Sequence, residues 1–461
     1  MKKTLTIALS LCLLQTSDLR AEDLLESYQL AKSSDPVLQL AQAQAKSANE
    51  GIPQARSRLL PQISATGGYD RTQSDSQRLQ FDRTPTGQLV QFATTSDSTS
   101  TSKSYSATLN QSVYDHSNYT QLGAARSNAE RADAEFRAAQ MQLIIRVAEA
   151  YFAVLTASDS LASAEGEEKA VGRQLEQAEQ RFNVGLTAIT DVHEARARFD
   201  SSKAAKILSE NSVDDARLAL SELTGSYVEA IAGLSDELPL ERPDPSQWQA
   251  WVELAMKNNP DMQAALASAD GAEWNIQTAR AARYPTLSSF LRFSDTTDGG
   301  DATTIFPAGQ SNFPTDSSGR STTIGLSLNV PLFSGFATTS RIQQAVYDHD
   351  GSLDRVESQR RAITRQTRNA YRTVIAGISE VQARKQALIS AQSALDATQA
   401  GFEVGTRTIV DVLLSQQVLF QAQRDYSNAR HNFIINGLRL KRASGIVAES
   451  DLASINKLLR K

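Results

Sequence analysis

All 12 prolines of this 461-residue chain lie at or before Pro85, or between Pro239 and Pro331. Proline costs about 3 kcal/mol inside a helix, so the proline-free tracts 86–238 and 332–461 are where long helices can form. Ser117–Asn183 predicts a rod of roughly 100 Å at 1.5 Å per residue, and Ala337–Glu403 matches it. Both tracts carry heptad spacing. Phe136, Leu143, Val147, Ala150, Val154 and Leu161 recur at sevens, fours and threes, as do Ile363, Ala370, Val374, Val381, Leu388 and Leu395. Val412, Leu419, Tyr426, Phe433 and Leu440 recur every seven residues. That pattern suits coiled coils, with an ordinary helical bundle as the alternative.

The two tracts belong to two copies of one unit. Residues 181–192 and 401–412 share Phe182/Phe402, Val184/Val404, Gly185/Gly405, Ile189/Ile409, Asp191/Asp411 and Val192/Val412. Residues 22–36 align with 246–260, Pro61 with Pro285, and 110–114 with 329–333. The layout expected is a first repeat over 22–232, a proline-rich linker over 233–245, a second repeat over 246–445 and a tail over 446–461. Each repeat runs short helix, helix, strand, loop, strand, long helix, turn, helix. The strand pairs fall at about 61–114 and 285–333, and the turns at 183–187 and 403–407.

The strands alternate: Ile324, Leu326, Leu328, Val330 and Leu332 interleave with Gly325, Ser327, Asn329 and Pro331, and 105–113 does so less purely. Their expected partners are 61–70 and 285–294, each opening at a proline, where a strand tolerates it. The segments 71–103 and 295–321 are rich in Ser, Thr, Asp, Gln and Gly and read as long polar loops, with Gly299-Gly300 in one of them. Each strand has about the 9–11 residues that a tilted membrane strand needs. Open edges are not tolerated in lipid, and known barrels begin at about eight strands. Four strands per chain therefore predict an oligomer, and a trimer gives twelve. A soluble four-stranded sheet packed on helices is the alternative.

Lys2 and Lys3, an apolar run over 5–14 and Ala21 predict a signal peptide over 1–21, with the only cysteine, Cys12, inside it. Cleavage would remove three basic residues and one acidic residue, moving the net charge from −5 to −7. No nucleic-acid partner is expected from such a balance. No later apolar run approaches helical membrane-spanning length, so any membrane contact is expected through strands. His116, His193, His349 and His431 are scattered without a Cys/His cluster, which predicts no metal site, no catalytic residues and no enzyme.

At this point the residues resemble the TolC family of outer-membrane efflux and secretion channels. The resemblance spans nearly the whole mature chain. It rests on the duplicated halves, on Val330-Pro331-Leu332-Phe333-Ser334-Gly335 and on Val404-Gly405-Thr406-Arg407-Thr408-Ile409-Val410-Asp411-Val412. It implies an α+β membrane protein: a homotrimeric 12-stranded outer-membrane β-barrel, four strands per protomer, continuing into a long α-helical coiled-coil periplasmic tunnel. It implies a Gram-negative outer-membrane exit duct for small toxic compounds or secreted proteins, without cofactor. Such a duct is gated at its periplasmic tip by docking of a periplasmic adaptor and an RND- or ABC-type inner-membrane transporter. A surface-exposed trimeric coiled-coil adhesin or stalk is the rival from another class.

Roles at the tip follow from the same resemblance. Val184-Gly185 and Val404-Gly405 would be the tip turns. Asp191 and Asp411 either favour a helix N-terminal region through its dipole, or Asp411 forms a carboxylate ring at the pore constriction. Arg407, Asp191, Gln174 and Phe402 would form a gate latch. Phe402 stands where a tyrosine often sits, so it cannot donate a hydroxyl hydrogen bond to Gln174. Leu414 stands where some members carry a second acidic residue, which predicts one acidic and one apolar ring. The copies differ at Thr187/Arg407 and at His193-Glu194/Leu413-Leu414, and the moving gate is expected in that asymmetry.

Overall fold

A computed structural model describes residues 22–235, 237–306 and 309–460; the predicted signal segment 1–21, with Cys12, lies outside them. The first half runs α1 (Leu24–Ser34), α2 (Pro36–Asn49), α3 (Gly51–Ser57), β1 (Gln62–Arg83), β2 (Leu89–Tyr114), α4 (His116–Asn183) and α5 (Ile189–Thr224). The second runs α6 (Trp248–Asn258), α7 (Pro260–Ala281), β3 (Thr286–Phe306), β4 (Gly309–Pro314), β5 (Ser317–Asn329), α8 (Ala337–Glu403) and α9 (Ile409–Ala443), and α10 (Glu449–Asn456) follows. The halves differ where α2 and α3 stand opposite the single helix α7. Pro53 offers no N–H to the carbonyl of Asn49, which is where α2 stops.

The chain divides into two compact units. Among the described residues one comprises 22–45, 131–266 and 355–460; the other comprises 46–130 and 267–354.

The first unit is helical. Its main core joins Leu143, Val147, Tyr151, Phe152 and Val154 of α4 to Leu24 and Tyr28 of α1, Leu220 of α5, Ile434 and Leu438 of α9, and Leu452 of α10. The heptad positions Ile363, Val374 and Val381 on α8, and Val412, Leu419 and Leu440 on α9, are buried as their spacing requires. Among the described residues α4 contains the one helical window apolar enough to cross a membrane. This corrects the expectation that no such run follows the signal. Half of that window is buried inside the protein, so its apolarity serves the core. Asp35 is buried and receives two hydrogen bonds from Arg146, at 3.0 and 2.6 Å. Burial pushes its carboxyl up, but the bonds and charge of Arg146, with the Leu38 amide, outweigh burial and hold it below the usual range.

The second unit is built on an antiparallel sheet in the order β1-β2-β3, with β4 and then β5 continuing along the far side of β3. Thr315 and Asp316 separate β4 from β5, and the Thr315 amide still reaches the Gly300 carbonyl at 2.7 Å. The result is four strand tracks. The segments expected to be polar loops are strand: β1 and β2 pair without a break from Gln62↔Asn110 to Arg83↔Leu89, and only 84–88 turns. A Ser/Thr-rich run needs no apolar face when its neighbours complete the ladder. Thr is also a good strand former, and hydroxyls pair across it, as Ser294 does with Ser321 at 2.8 Å. Gly299-Gly300 likewise sits in β3 and not in a loop, opposite Thr101 and Ser100. A Cβ at Gly300 would lie 2.1 Å from the Thr99 carbonyl oxygen.

Register sorts the sheet into two unlike faces, because partners directly opposite share a face. One face carries the rows Ile63-Leu109-Leu291-Ile324 and Ala65-Ala107-Phe293-Thr322, flanked by Leu326 and Leu328. Its next rows bring Tyr105, the Arg320–Asp295 ion pair at 2.8 Å, and then Tyr69 beside Lys103. The other face carries Ser64-Thr108-Arg292-Thr323, Thr66-Ser106-Ser294-Ser321 and Gly68-Ser104-Thr296-Gly319. Its exception is Phe290, whose ring covers Gly325, where a Cβ would come within 2.6 Å of it. The apolar face is exposed, Ile63 by 75%, Ile324 by 82% and Leu326 by 71%.

Candidate functional site: the helical tip

Helices α4 and α8 end alike. The Gly185 amide donates to Phe182 O at 2.9 Å and the Leu186 amide to Arg181 O at 2.8 Å, with Gly185 at φ 78°. In the second copy Gly405 donates to Phe402 O at 3.1 Å and Thr406 to Gly401 O at 2.8 Å, with Gly405 at φ 83°. This is the Schellman closure, in which a left-handed residue lets its own amide and the next one satisfy helix-end carbonyls. Glycine adopts that φ without a Cβ penalty. Val184, Leu186 and Val404 project from the turns, each about 70% exposed or more.

The restarting helices are capped differently. At α9 the Thr408 hydroxyl accepts from the Asp411 amide at 3.3 Å, while Asp411 accepts from the Thr408 amide and hydroxyl at 2.9 Å each. That reciprocal pair is a capping box. The Thr408 amide bond, then its hydroxyl bond, outweigh desolvation and hold the Asp411 carboxyl below its ordinary range, with a further contribution from the Arg407 charge. At α5 the N-cap position is Ala188, which has no side-chain cap, and Asp191 instead accepts a hydrogen bond from the Thr187 hydroxyl. Both aspartates are thus engaged at helix N-termini. Leu414, one turn beyond Asp411, is 57% exposed and lines a groove of about 410 Å³ with Val418 of α9 and Ala387 of α8.

Beneath the turns lies a small core. Val171 and Ala178 of α4, Val192 and Ala195 of α5, and Ile409 and Leu413 of α9 are buried together, with Leu175, Phe199 and Phe402 against them. Phe402 presents its ring to Arg181, whose guanidinium carbon lies 4.8 Å from the centroid. The two hairpins are also tied by Arg424–Glu167 at 3.4 Å and by the Arg198–Gln417 hydrogen bond. Within each hairpin, Arg196–Glu179 at 2.6 Å and Arg384–Asp425 at 2.9 Å join the paired helices.

The four residues expected to form the latch are not joined to one another in the protomer. Among the described residues Arg407 makes no ion pair with Asp191; its charge acts on Asp411. Gln174 is buried, and its Oε1 has no hydrogen-bond partner among the described residues. Gln416, one turn from Leu413, is buried with an unpartnered Oε1 as well. The sequence comparison of the two copies passed over Arg181 because its counterpart is Gly401. That mismatch was the available signal: a Cβ at Gly401 would lie 2.8 Å from Arg407 Cγ, so each copy keeps one arginine at its turn, from opposite sides. Among the described residues no three His, Cys, Asp or Glu side chains converge as metal ligands.

The tip and the two-faced sheet can be set beside known proteins. The sequence profile of the Outer membrane efflux protein family matches residues 27–226 and 251–446. Outer membrane protein TolC of Vibrio cholerae is 38% identical, across 100% of this chain and 99% of its own. The alkaline protease secretion protein AprF of Pseudomonas aeruginosa is 27% identical, across 95% of this chain and 88% of its own. The crystal structure of the outer membrane protein VceC from Vibrio cholerae superposes with a TM-score of 0.70. It covers 92% of this chain and 96% of that one, at 18% identity.

Proposed function

The chain belongs to the Outer membrane efflux protein family, and from that premise we propose that three copies close one channel whose gate is the helical tip. It is an outer-membrane exit duct for efflux and secretion, as its full-length likeness to TolC and its likeness to a protease secretion protein support. The adhesin alternative finds no support among these relatives.

The observation that carries the proposal is the pairing of an exposed apolar sheet face with two open sheet edges, β1 on one side and the β4–β5 track on the other. A sheet with its apolar side outward and open edges cannot stand alone in lipid. Four strand tracks from each of three protomers give a 12-stranded barrel, polar inside and apolar outside. The Tyr69 and Tyr105 rows mark the upper border of the apolar band, at the level where aromatic girdles sit. In this assembly two turns per protomer surround the periplasmic opening. Their exposed Val184, Leu186 and Val404 give a periplasmic adaptor an apolar surface to dock on, with an RND- or ABC-type transporter beyond it. Asp411 lines the constriction, Leu414 adds an apolar ring, and Arg407 reaches Asp191 of a neighbouring helix pair to hold the tip shut. Duct substrates are small toxic compounds or secreted proteins, and no cofactor takes part.

Purified protein in planar bilayers tests this. Heat-labile trimers with a small, cation-selective resting conductance are expected. A stable monomer without conductance would overturn the proposal.

A further inference from the structure

A second charged feature lies on α8, well away in sequence from the tip. Between residues 357 and 372 the helix carries five arginines and one carboxylate. At about 100° per residue, Arg360, Arg361, Arg365, Arg368 and Arg372 fall on one face, over roughly 18 Å of helix. They line a groove of about 730 Å³ whose opposite wall is Val252 and Met256 of α6. Trp248, one turn before Val252, lies under Arg368, with the guanidinium carbon 4.9 Å from the ring centroid. Glu357 accepts from Arg360 Nε at 2.7 Å and from Arg361 Nε at 2.6 Å. Arg365 and Arg372 have no ion-pair or hydrogen-bond partner among the described residues, and Glu253, the acidic residue of α6, does not line the groove.

Five guanidinium groups against one carboxylate leave the groove strongly positive. Guanidinium groups bind carboxylates and phosphates in fixed, often bidentate geometry. Glu357 already shows how this stripe holds a carboxylate. Two properties select among anions. The stripe is too long for a single small ion, and its far wall, Val252 and Met256, is apolar, which a bare polyphosphate cannot use. We propose that the groove binds an acidic segment of a partner protein, with carboxylates on Arg365, Arg368 and Arg372 and apolar side chains on Val252 and Met256. The site is independent of the gating assigned to the tip.

The test is fluorescence anisotropy with full-length protein in detergent and a labelled synthetic helical peptide bearing Glu and Leu at turn spacing. Binding at low ionic strength, weakening as salt is raised, is expected. The double variant R365E/R372E should weaken it by at least about tenfold, and a peptide with Gln in place of Glu should not bind. R365Q/R372Q, which removes charge without inverting it, keeps the test alive should the charge reversal prevent assembly; it should weaken binding about fivefold. Single-channel conductance of R365Q/R372Q should match the parent, so a failed gate and a failed groove give different results. Equal binding by the variants, or by the Gln peptide, overturns the proposal. So does tight, arginine-dependent binding of inorganic tripolyphosphate without binding of the acidic peptide, which would make the groove a phosphate site.

Discussion

The cap that Asp411 makes and the constriction ring proposed for it can be separated by substitution. Within the protomer it closes the α9 capping box, and the Thr408 bonds lower its pKa. A carboxylate ring acts in the opposite sense, because like charges brought together raise one another. Cap and ring therefore predict different mutants. Asp411→Asn should reduce cation selectivity in planar bilayers, read as a shifted reversal potential. Thr408→Ala should leave selectivity alone and cost about 1 kcal/mol of helix stability, read by thermal melting. If Thr408→Ala changed selectivity as much as Asp411→Asn, the carboxylate would matter only through the cap. Arg407 belongs to the same test. Arg407→Ser should raise resting conductance, and a channel as closed as the parent would remove it from the latch. Sequence alone left Asp411 between a helix-dipole role and a ring, since either needs an acid at this spacing, and did not show the cap. It missed Arg181 for a physical reason: a cation over an aromatic ring needs only proximity, which leaves no periodic trace. Phe402→Leu should weaken that contact by about 0.5–1 kcal/mol.

Helices and strands were not equally legible. The proline-free tracts left room for long helices, because proline breaks a helix beyond its first turn, and α4 and α8 match the expected 117–183 and 337–403 almost to the residue. The strands beyond Tyr69 and Tyr105 escaped, because Ser- and Thr-rich runs lack the alternation that marks a half-buried strand. Buried polar groups within helices were hidden too. His431 of α9 lies outside the strict heptad, yet it is 2% exposed, with Nδ1 2.8 Å from the Thr156 hydroxyl of α4. Burial lowers its pKa to about 4, against the opposing charge of Asp159 and with help from Arg430. The unfolded chain, with a pKa of about 6.5, then binds the proton first. Stability from neutral His431 is complete above about pH 6.5 and is lost as pH falls toward about 4. Melting temperature should drop over that window, and His431→Gln should flatten the slope while lowering the plateau. An unchanged slope would mean that other groups carry the acid sensitivity.

At the scale of the molecule, the distinction between a soluble sheet and a barrel wall comes down to which face can bear a charge. In the proposed trimer the row of Ile63, Leu109, Leu291 and Ile324 meets lipid, and the row of Thr66, Ser106, Ser294 and Ser321 meets water in the lumen. Leu326→Arg places a guanidinium on the first face and Ser321→Arg on the second. Arginine on a lipid face costs roughly 2–4 kcal/mol near the bilayer midplane, whereas the lumen hydrates it. Leu326→Arg should therefore lower the temperature at which outer-membrane trimers dissociate in detergent gels. Ser321→Arg should leave that temperature near the parent value and alter conductance or selectivity. A sheet whose apolar face is covered by protein would also reject Leu326→Arg, but Ser321→Arg would then have no effect on current. Two variants read by two measurements thus separate a lipid-facing wall from a buried one. Neither substitution touches the tip, so the outcome is independent of how the gate works.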